Sequence, residues 1–202
     1  MQYTVQFNQA GSVNALFGQS YSLFGQNSFA YGGTTNTGLD SGLDTTASDY
    51  VARLAYQPNN IYTFTSRFRF SNDNFTPQRI ELEARAIFDR WSGSILYGDY
   101  AAQPALGILD RQEGILGTGQ VKLDANWVML GGARYDINAG KFDQTRVGVG
   151  YVDDCLILGL NYITNYTFSG NVTANHTVML NLSLRTLGGT GVSQGVGRST
   201  SP

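Results

Sequence analysis

The chain has 202 residues and a formal net charge of −2, and only 14% of its residues are charged, against about 25% in a typical soluble domain. The low charge indicates that much of the surface does not face water. A nucleic-acid partner would normally meet a basic face, so the net charge of −2 argues against one. No apolar run approaches the roughly 18 residues of a membrane-spanning helix.

Hydrophobic and polar residues alternate along most of the chain, which predicts strands because successive side chains of a strand point to opposite faces. In chain order we predict strands at residues 2–7, 13–24, 49–57, 60–71, 78–89, 92–101, 115–123, 126–136, 142–152, 155–167 and 175–187. Several are longer than the five or six residues usual in globular proteins, and strands of that length cross a bilayer when tilted.

Short connections alternate with longer polar loops along the chain. The short connections are 8–12, 57–60, 90–91, 124–125 and 153–154, and the long ones are 25–48, 71–77, 102–114, 136–141 and 169–174. Outer-membrane barrels show this alternation, with tight periplasmic turns and longer outer loops, whereas a Greek-key sandwich has no reason to keep it. We therefore predict an all-β, antiparallel, up-and-down transmembrane β-barrel of about eleven strands. Residues 1–187 would form it, and the Gly/Ser-rich residues 188–202 would form a flexible tail.

Aromatic residues are predicted near both ends of the strands. Trp91 and Trp127 lie at or just past short turns, whereas Tyr135, Tyr166 and Phe168 lie near the opposite ends. Two aromatic girdles at the membrane interfaces would have this distribution. Ordinary packing of aromatics in a core is the alternative, because these residues favour strands in any case.

Charged residues occupy every second position on two neighbouring predicted strands. They are Arg67, Arg69, Glu81, Glu83 and Arg85. We predict that these residues face a wet lumen, since a charge at the bilayer midplane costs about 2–4 kcal/mol. A hairpin that turns about Phe75 would place Arg67 opposite Glu83 and Arg69 opposite Glu81. A slip of one residue would exchange the two faces, so this register should be tightly specified.

Residues able to carry chemistry are scarce. His176 is the only histidine, so neither a His-based metal cluster nor a serine triad can be assembled, and we predict no catalytic site, metal or cofactor. The single Cys155 cannot form an internal disulfide, and its place beside Asp153 and Asp154 at a predicted turn favours exposure. The N-terminus lacks the features of a signal peptide, so a protein beyond the inner membrane would be represented here by a mature fragment or a truncated reading frame.

Short segments at turns and strand ends carry a family resemblance. They are residues 17–21, 48–51, 123–127, 132–136, 147–155 and 184–188. Together they resemble the C-terminal barrel region of the LPS-assembly protein family LptD, also called OstA or Imp. The resemblance spans most of residues 13–188, and its most specific part is the turn with Cys155 followed by the last hairpin.

This resemblance implies a function and several partners. Family members place lipopolysaccharide in the outer leaflet of the Gram-negative outer membrane, and an LptE-like lipoprotein plugs the lumen of their very large barrel. An N-terminal periplasmic domain, which this sequence lacks, connects the family's barrel to the periplasmic Lpt bridge. The chain would then be the C-terminal part of a larger barrel. Where the best-known members have two adjacent cysteines, this chain has Asp154 and Cys155, which implies one inter-domain disulfide from Cys155 to a partner outside the chain.

The resemblance also implies a role for the last predicted strand. In the family, the first and last barrel strands pair weakly and form a lateral gate through which the lipid leaves. The residues of the gate strand would be His176, Val178, Leu180, Leu182, Leu184 and Arg185. In this chain the outer edge of that strand would lack its native neighbour, and such an edge is prone to pair elsewhere.

Two other classes of function stay open from the residues alone. The chain could be a complete small outer-membrane barrel that acts as a pore, an adhesin or a lipid-modifying enzyme, with His176 as the one candidate base. It could also be a soluble ligand-binding β-barrel, which would need an apolar interior and a polar outside. The direction in which Phe64 and Phe68 point, relative to Arg67 and Glu83, separates the membrane alternatives from the soluble one.

Overall fold

The computed structural model describes residues 1–8, 11–24, 27–30, 42–166, 174–184 and 192–196. The strands are β1 Gln2–Phe7, β2 Gly11–Gly18, β3 Tyr50–Gln57, β4 Tyr62–Phe70, β5 Pro77–Ile87, β6 Trp91–Tyr100, β7 Gln112–Lys122, β8 Trp127–Asp136, β9 Lys141–Val152, β10 Leu156–Asn165, β11 Asn175–Leu184 and β12 Val192–Val196. Helix in the described residues is limited to single 3-10 turns at Ser28–Ala30 and Pro104–Leu106. Neither turn is long or apolar enough to span a membrane.

The strands follow one another in the sheet in the order in which they occur in the sequence. The pairings within β1 to β4 and within β8 to β12 are all antiparallel, which confirms the predicted all-β, up-and-down class. The eleven predicted strands are present, and their ends agree within three residues with one exception. β12 is an additional strand in the segment predicted to be a tail, and the proposed division at residue 187 stays a prediction.

The exception is the strand predicted at 13–24, because β2 ends at Gly18. Beyond that point two backbone hydrogen bonds remain, from the amide of Ser48 to the carbonyl of Ser20 at 2.8 Å and from the amide of Ser22 to the carbonyl of Thr46 at 2.9 Å. Side chains add to them: Gln19 Nε2 donates to the carbonyl of Ser48 at 2.8 Å, and the amide of Ser20 donates to Ser48 Oγ at 2.8 Å. Tyr21 then forms an isolated bridge with Ala47. Residues such as Tyr21 continue the sequence alternation into a region where backbone and side-chain hydrogen bonds are mixed and no regular strand forms.

The chain forms two compact units. Unit 1 contains residues 1–85 and 96–114, and unit 2 contains residues 86–95 and 115–202.

In unit 1 the register of β1 to β4 separates an apolar face from a polar face. One row of paired residues is apolar: Val5, Val13, Tyr56 and Phe64. The adjacent row is small or polar: Thr4, Asn14, Ala55 and Thr65. Because strand side chains alternate between faces, each face continues along the strands, and we call them the apolar face and the polar face of unit 1.

In unit 2 the register of β8 to β11 produces the same separation. One row consists of large apolar residues: Trp127, Tyr151, Leu158 and Leu182. The adjacent row is small: Val128, Gly150, Gly159 and Asn181. We call these the apolar face and the polar face of unit 2. The register of β8 and β9 shifts once, between Arg134 and Tyr135.

Aromatic side chains pair at the strand ends, as predicted. Trp91 begins β6 and stacks on Phe88 at a centroid distance of 4.2 Å, and Trp127 begins β8 and contacts Tyr151 at 5.1 Å. At the opposite end of β8, Tyr135 contacts a neighbouring phenylalanine of β9 at 5.2 Å. Tyr166 follows β10 directly, whereas the predicted position of Phe168 lies outside the described residues.

Burial is inverted relative to a soluble domain. Within the described residues no hydrophobic side chain is buried, and the buried polar ones are Ser48, Thr65, Glu81, Asn161 and Thr164. On β10, Leu160 and Tyr162 are 44% and 47% exposed, whereas Asn161 between them is 5% exposed. In soluble domains apolar side chains are the ones most often covered, whereas in these two units the apolar faces are the uncovered ones.

Candidate functional site

Three of the five residues predicted to line a lumen come together on the polar face of unit 1. Arg67 contacts Glu83 through both terminal nitrogens at 3.2 Å, as predicted, and also contacts Glu81 at 3.5 Å. Glu81 is the most covered of the three, with 7% of its side chain exposed. Because Arg67 lies between the two carboxylates, its charge is neutralised locally on this face.

Glu81 is the centre of this charged cluster. It also accepts hydrogen bonds from Arg79 and, at 2.7 Å, from the hydroxyl of Tyr100. The Arg79 guanidinium lies over the Tyr100 ring, 5.2 Å from its centroid. Bidentate and charge-assisted contacts of this kind are stronger than neutral hydrogen bonds. A carboxylate that is nearly covered is therefore satisfied by three donor side chains from β4, β5 and β6.

The remaining residues of the predicted set are placed differently. Arg69 lies 3.4 Å from Asp49, and its predicted pairing with Glu81 stays a prediction. Arg53 stands directly opposite Arg67 in the β3–β4 register, an arrangement of like charges that is unfavourable unless counter-charges lie nearby. Arg85 is exposed. The polar face of unit 1 thus carries a mixed network with arginine in excess.

Sequence reasoning missed Asp49, Arg79 and Tyr100 as members of this network. Arg79 lies two residues before Glu81 on β5 and so shares its face, which the sequence alone could have indicated. Asp49 and Tyr100 come from other parts of the chain. Their recruitment depends on the way the strands pair.

The polar face of unit 2 carries little charge. Arg146 donates to Asn161 Oδ1 from Nε at 3.1 Å and from Nη2 at 2.9 Å. The Asn161 side chain passes over Gly148, where an added Cβ would lie 2.6 Å from Asn161 Oδ1. Glycine at this position therefore makes room for the hydrogen bond, a function that the alternating pattern alone did not indicate.

The register of the last hairpin aligns the apolar residues of β10 with those of β11. Its apolar face is a ladder of directly opposed pairs: Leu156 with Leu184, Leu158 with Leu182, Leu160 with Leu180, and Tyr162 with Val178. These include four of the predicted gate residues. Arg185 lies outside the described residues.

β11 is not the edge of the described sheet, in contrast to the expectation that its outer edge lacks a neighbour. β12 pairs antiparallel with β11 from Val178 to Leu182. The segment Val192–Val196 contains no proline and begins and ends with β-branched valine, so it can complete a ladder. It spans five residues against ten in β11, and the pairing leaves both ends of β11 beyond it.

His176 lies on the apolar face of unit 2, at the N-terminal end of β11. Its Nδ1 is 2.8 Å from the Tyr162 hydroxyl and 3.2 Å from Thr164 Oγ1, and its ring stacks on Tyr162 with a centroid distance of 5.8 Å. Both hydroxyl partners are weak acids, and no carboxylate is among these contacts. His176 thus belongs to an aromatic strand end in which its ring both stacks on Tyr162 and contacts two hydroxyl groups.

Cys155 is exposed and free at a turn, as predicted. Asp153 Oδ1 closes this turn by accepting the amides of Cys155 and Leu156 at 2.8 and 2.7 Å. The turn before β8 is built in the same way: Asp124 Oδ1 accepts the amide of Asn126 at 2.8 Å and that of the following residue at 2.9 Å.

These two turns are joined to each other by hydrogen bonds. The side-chain amide of Asn126 donates to the carbonyl of Val152 at 2.8 Å, and the amide of Val152 donates back to the carbonyl of Asn126 at 2.8 Å. Cys155 therefore lies in a turn that hydrogen bonds hold in place, at the end of unit 2 where short connections join the strands. The backbone hydrogen bonds from Asn126 and Trp127 lower the pKa of Asp124.

Metal chemistry finds no support in the part of the chain that the structure describes. No group of three or more His, Cys, Asp or Glu side chains is arranged there to hold an ion.

Comparison with known proteins gives one family. A family model described as "LptD: LPS transport system D" matches residues 1–127, which include β1 to β7 and the first residue of β8. No match to a curated protein is found. The match contains the resembling segments at 17–21, 48–51 and 123–127, whereas the turn with Cys155 and the last hairpin lie beyond it.

Proposed function

Because the family model covers more than half of its residues, the chain belongs to the LptD family, and from this premise we propose that it acts in lipopolysaccharide assembly at the outer membrane. In this proposal it is the C-terminal segment of the barrel. The apolar faces contact lipid, the polar faces line the lumen, and the C-terminal edge contributes to the exit path of the lipid.

The inverted burial on β10 carries this proposal. Asn161 is covered while the flanking Leu160 and Tyr162 are exposed, and the same apolar row continues through Leu180 on β11 and Val149 on β9. Burying apolar surface contributes roughly 25 cal/mol per Å². In a membrane, contact of the apolar face with lipid would remove this surface from water and give the same favourable free energy.

Strand length fits the thickness of a bilayer. β6, β8 and β10 have ten residues each, which corresponds to about 34 Å along the strand. A tilt of roughly 40 to 45° reduces this span to about 25 Å, the height of the apolar band of outer-membrane barrels. The stacked aromatic pairs at the strand ends would mark its two borders.

The charged cluster around Glu81 supports a lumen assignment for the polar face of unit 1. The Glu81 carboxylate contacts Arg67, Arg79 and Tyr100. Such a charged group would be strongly unfavourable against hydrocarbon. The residues proposed to face the lumen remain Arg67, Arg69, Glu81, Glu83 and Arg85. An LptE-like lipoprotein is the proposed occupant of that lumen.

The C-terminal edge is the proposed side of the lateral gate. It comprises β11, with His176, Val178, Leu180, Leu182 and Leu184, and Arg185 after it. β12 covers the middle of this strand, so opening the edge for lipid would require β12 to leave or to move with it. A five-residue strand is a weak cover because it contributes few ladder hydrogen bonds.

Cys155 is proposed to tie the barrel to a periplasmic domain outside this chain. Its exposure at one of the short connections supports this role, since the strand ends joined by short connections would face the oxidising periplasm. The connection to the periplasmic Lpt bridge would pass through that same domain.

Family membership favours transport over the other classes. LptD is a transport and assembly family, not an enzyme family. A pore, an adhesin or a lipid-modifying enzyme finds no specific observation in its favour, since the contacts of His176 are a stacked ring and two hydroxyl groups, with no carboxylate among them. A soluble barrel would require covered apolar side chains, which the described residues do not show.

Photo-crosslinking in cells tests the gate proposal. A photoreactive residue would be placed at Leu184, or at Leu54 on β3 as a control, in the full-length protein, and lipopolysaccharide would be labelled in a short pulse. We expect newly made lipopolysaccharide to be trapped at Leu184 before it reaches Leu54. Trapping at Leu54 first, or at both positions simultaneously, would contradict the gate.

A further inference from the structure

Arg53 is an exposed arginine on the polar face of unit 1 that stands directly opposite another arginine. Its partner in the β3–β4 register is Arg67, and its partner on the β2 side is Leu16. The Cβ atoms of directly opposed residues in an antiparallel pair are about 4.5–5.5 Å apart. One ligand can therefore lie within reach of both guanidinium groups.

On β2 and β3, the neighbours of Arg53 on this face are uncharged. Side chains on one face of a sheet adjoin those directly opposite, those two residues along the strand and those on the diagonal. For Arg53 these residues on β2 and β3 are Asn14, Leu16, Gly18, Val51 and Ala55. None of them can balance the charge of the guanidinium group.

The neighbours of Arg53 on β4 add positive charge. Arg67 lies directly opposite and Arg69 lies on the diagonal. Two carboxylates of β5 contact Arg67 at 3.5 and 3.2 Å, and Asp49 contacts Arg69 at 3.4 Å. The ion pairs of this face thus hold the two arginines of β4, and Arg53 lies on the side of them that faces away from β5.

Positive charge exceeds negative charge on this part of the polar face. Its arginines are Arg53, Arg67, Arg69, Arg79 and Arg85, and its carboxylates are Asp49, Glu81 and Glu83. The whole chain, by contrast, has a formal net charge of −2. A chain that is acidic overall therefore concentrates positive charge here, and such a surface attracts anionic ligands.

We propose that Arg53 and Arg67 form a binding site for a phosphate group on the polar face of unit 1. A guanidinium group donates two parallel hydrogen bonds to phosphate. A terminal phosphate carries almost two negative charges at pH 7, so it can offset the repulsion between both arginines, whereas a carboxylate carries only one. A phosphorylated lipid head group or free phosphate would supply this chemistry. The inference rests on the proposed function, which places this face in a wet lumen, and it adds the class of ligand that the face binds.

Modification of arginine tests this site. The full chain would be reconstituted into phosphatidylcholine vesicles and treated with p-hydroxyphenylglyoxal, with or without inorganic phosphate at constant ionic strength, and peptide mass spectrometry would give the labelling rate at each arginine. At a phosphate concentration about tenfold above the Kd, roughly nine sites in ten are occupied, so labelling of Arg53 should slow about tenfold. Arg85 is the internal control, because it is exposed on the same face with Glu83 two residues before it. Its labelling rate should not change.

A counter-charge at position 16 provides a matched pair of variants. L16E places a carboxylate directly opposite Arg53 and leaves the ion pairs of Arg67 untouched, whereas L16Q has nearly the same size without the charge. We expect L16E to abolish the protection of Arg53 by phosphate and L16Q to retain it. Protection in L16E as strong as in L16Q would overturn the site.

Acetate and glucose 6-phosphate identify the class of ligand. Glucose 6-phosphate should protect Arg53 as inorganic phosphate does, and acetate at the same ionic strength should not. Protection by inorganic phosphate without protection by glucose 6-phosphate would support the site and assign it to free phosphate. Equal protection by acetate would overturn the phosphate assignment, because an acidic side chain of another protein would then fit as well.

The unprotected rates separate failure of this inference from failure of the proposed function. If Arg53 and Arg85 are both labelled in vesicles and phosphate protects neither, the phosphate site is overturned while the wet lumen stands. If both arginines react only after denaturation, the polar face does not meet water, and the lumen assignment fails together with the site.

Discussion

At the residue scale, a few side chains at the strand ends determine how the connections close. Asp124 and Asp153 each accept two consecutive backbone amides and so replace ladder bonds at the turns before β8 and β10. Their positions are readable from the sequence, because aspartate favours such turns. Phe75 has a φ of 58° and is not readable in this way, since an αL position normally indicates glycine or asparagine.

The charge of Asp124 makes the stability of the fold depend on pH in a direction that can be predicted. Because the folded state lowers its pKa, the ionised form stabilises the fold above the unfolded value of about 3.9. This contribution is lost as the pH falls through the lowered folded pKa. D124N keeps the accepting oxygen without the charge. In thermal unfolding, the difference between wild type and D124N should be constant above about pH 5 and shrink towards pH 3. A difference that grows on acidification would contradict this assignment.

Backbone strain at Phe75 is measurable with two truncations. F75G and F75A both remove the ring, but only alanine retains the cost of a left-handed backbone. We expect F75G to be the more stable of the two by about 1 kcal/mol in denaturant unfolding. Equal stability of the two variants would mean that the positive φ carries no strain.

The thiol of Cys155 should react in the folded chain. Its exposure at a turn predicts that a maleimide labels the folded protein at a rate close to that of the unfolded protein. C155S gives the background. Labelling that requires denaturation would show that the thiol is buried.

At the element scale, the sequence was sufficient to predict eleven strands and their alternation, because a period of two is encoded in every strand. No register was predicted for β10 and β11, although the observed pairs Leu160–Leu180 and Tyr162–Val178 match apolar positions on the two strands. β12 was missed because the tail is rich in Gly and Ser, and pairing depends on the available edge of β11. The register of β4 with β5 stays a prediction, although the contact of Arg67 with Glu83 agrees with it.

Glycines on the polar face of unit 2 differ in the space around them. A Cβ at Gly148 would lie 2.6 Å from Asn161 Oδ1 and 3.0 Å from a backbone carbonyl, whereas at Gly159 the nearest atom is 3.8 Å away. G148A should therefore destabilise the protein by roughly 1–3 kcal/mol, while the matched control G159A should be near neutral. Denaturant unfolding in detergent micelles measures both. Equal effects would mean that Asn161 and Arg146 can rearrange without cost.

At the scale of the whole chain, sequence and structure agree on separated apolar and polar faces, and the sequence suggested why. The low charge and the alternation of Leu160 and Asn161 both predict a surface adapted to lipid. What the sequence did not reveal is that the polar residue is the covered one, because coverage depends on neighbours such as Arg146 from the adjacent strand. The ionic cluster at Glu81 likewise needs three strands to assemble.

Labelling of single cysteines along β11 in the outer membrane tests the central claim most directly. In a C155S background of the full-length protein, Thr177 and Asn181 on the polar face, and Val178 and Leu182 on the apolar face, would be changed to cysteine one at a time. A water-soluble maleimide applied to intact membranes should label T177C and N181C and spare V178C and L182C, because only the polar face would meet a wet lumen. Labelling of V178C and L182C with protection of T177C and N181C would contradict the membrane orientation and the lipid-export function that rests on it.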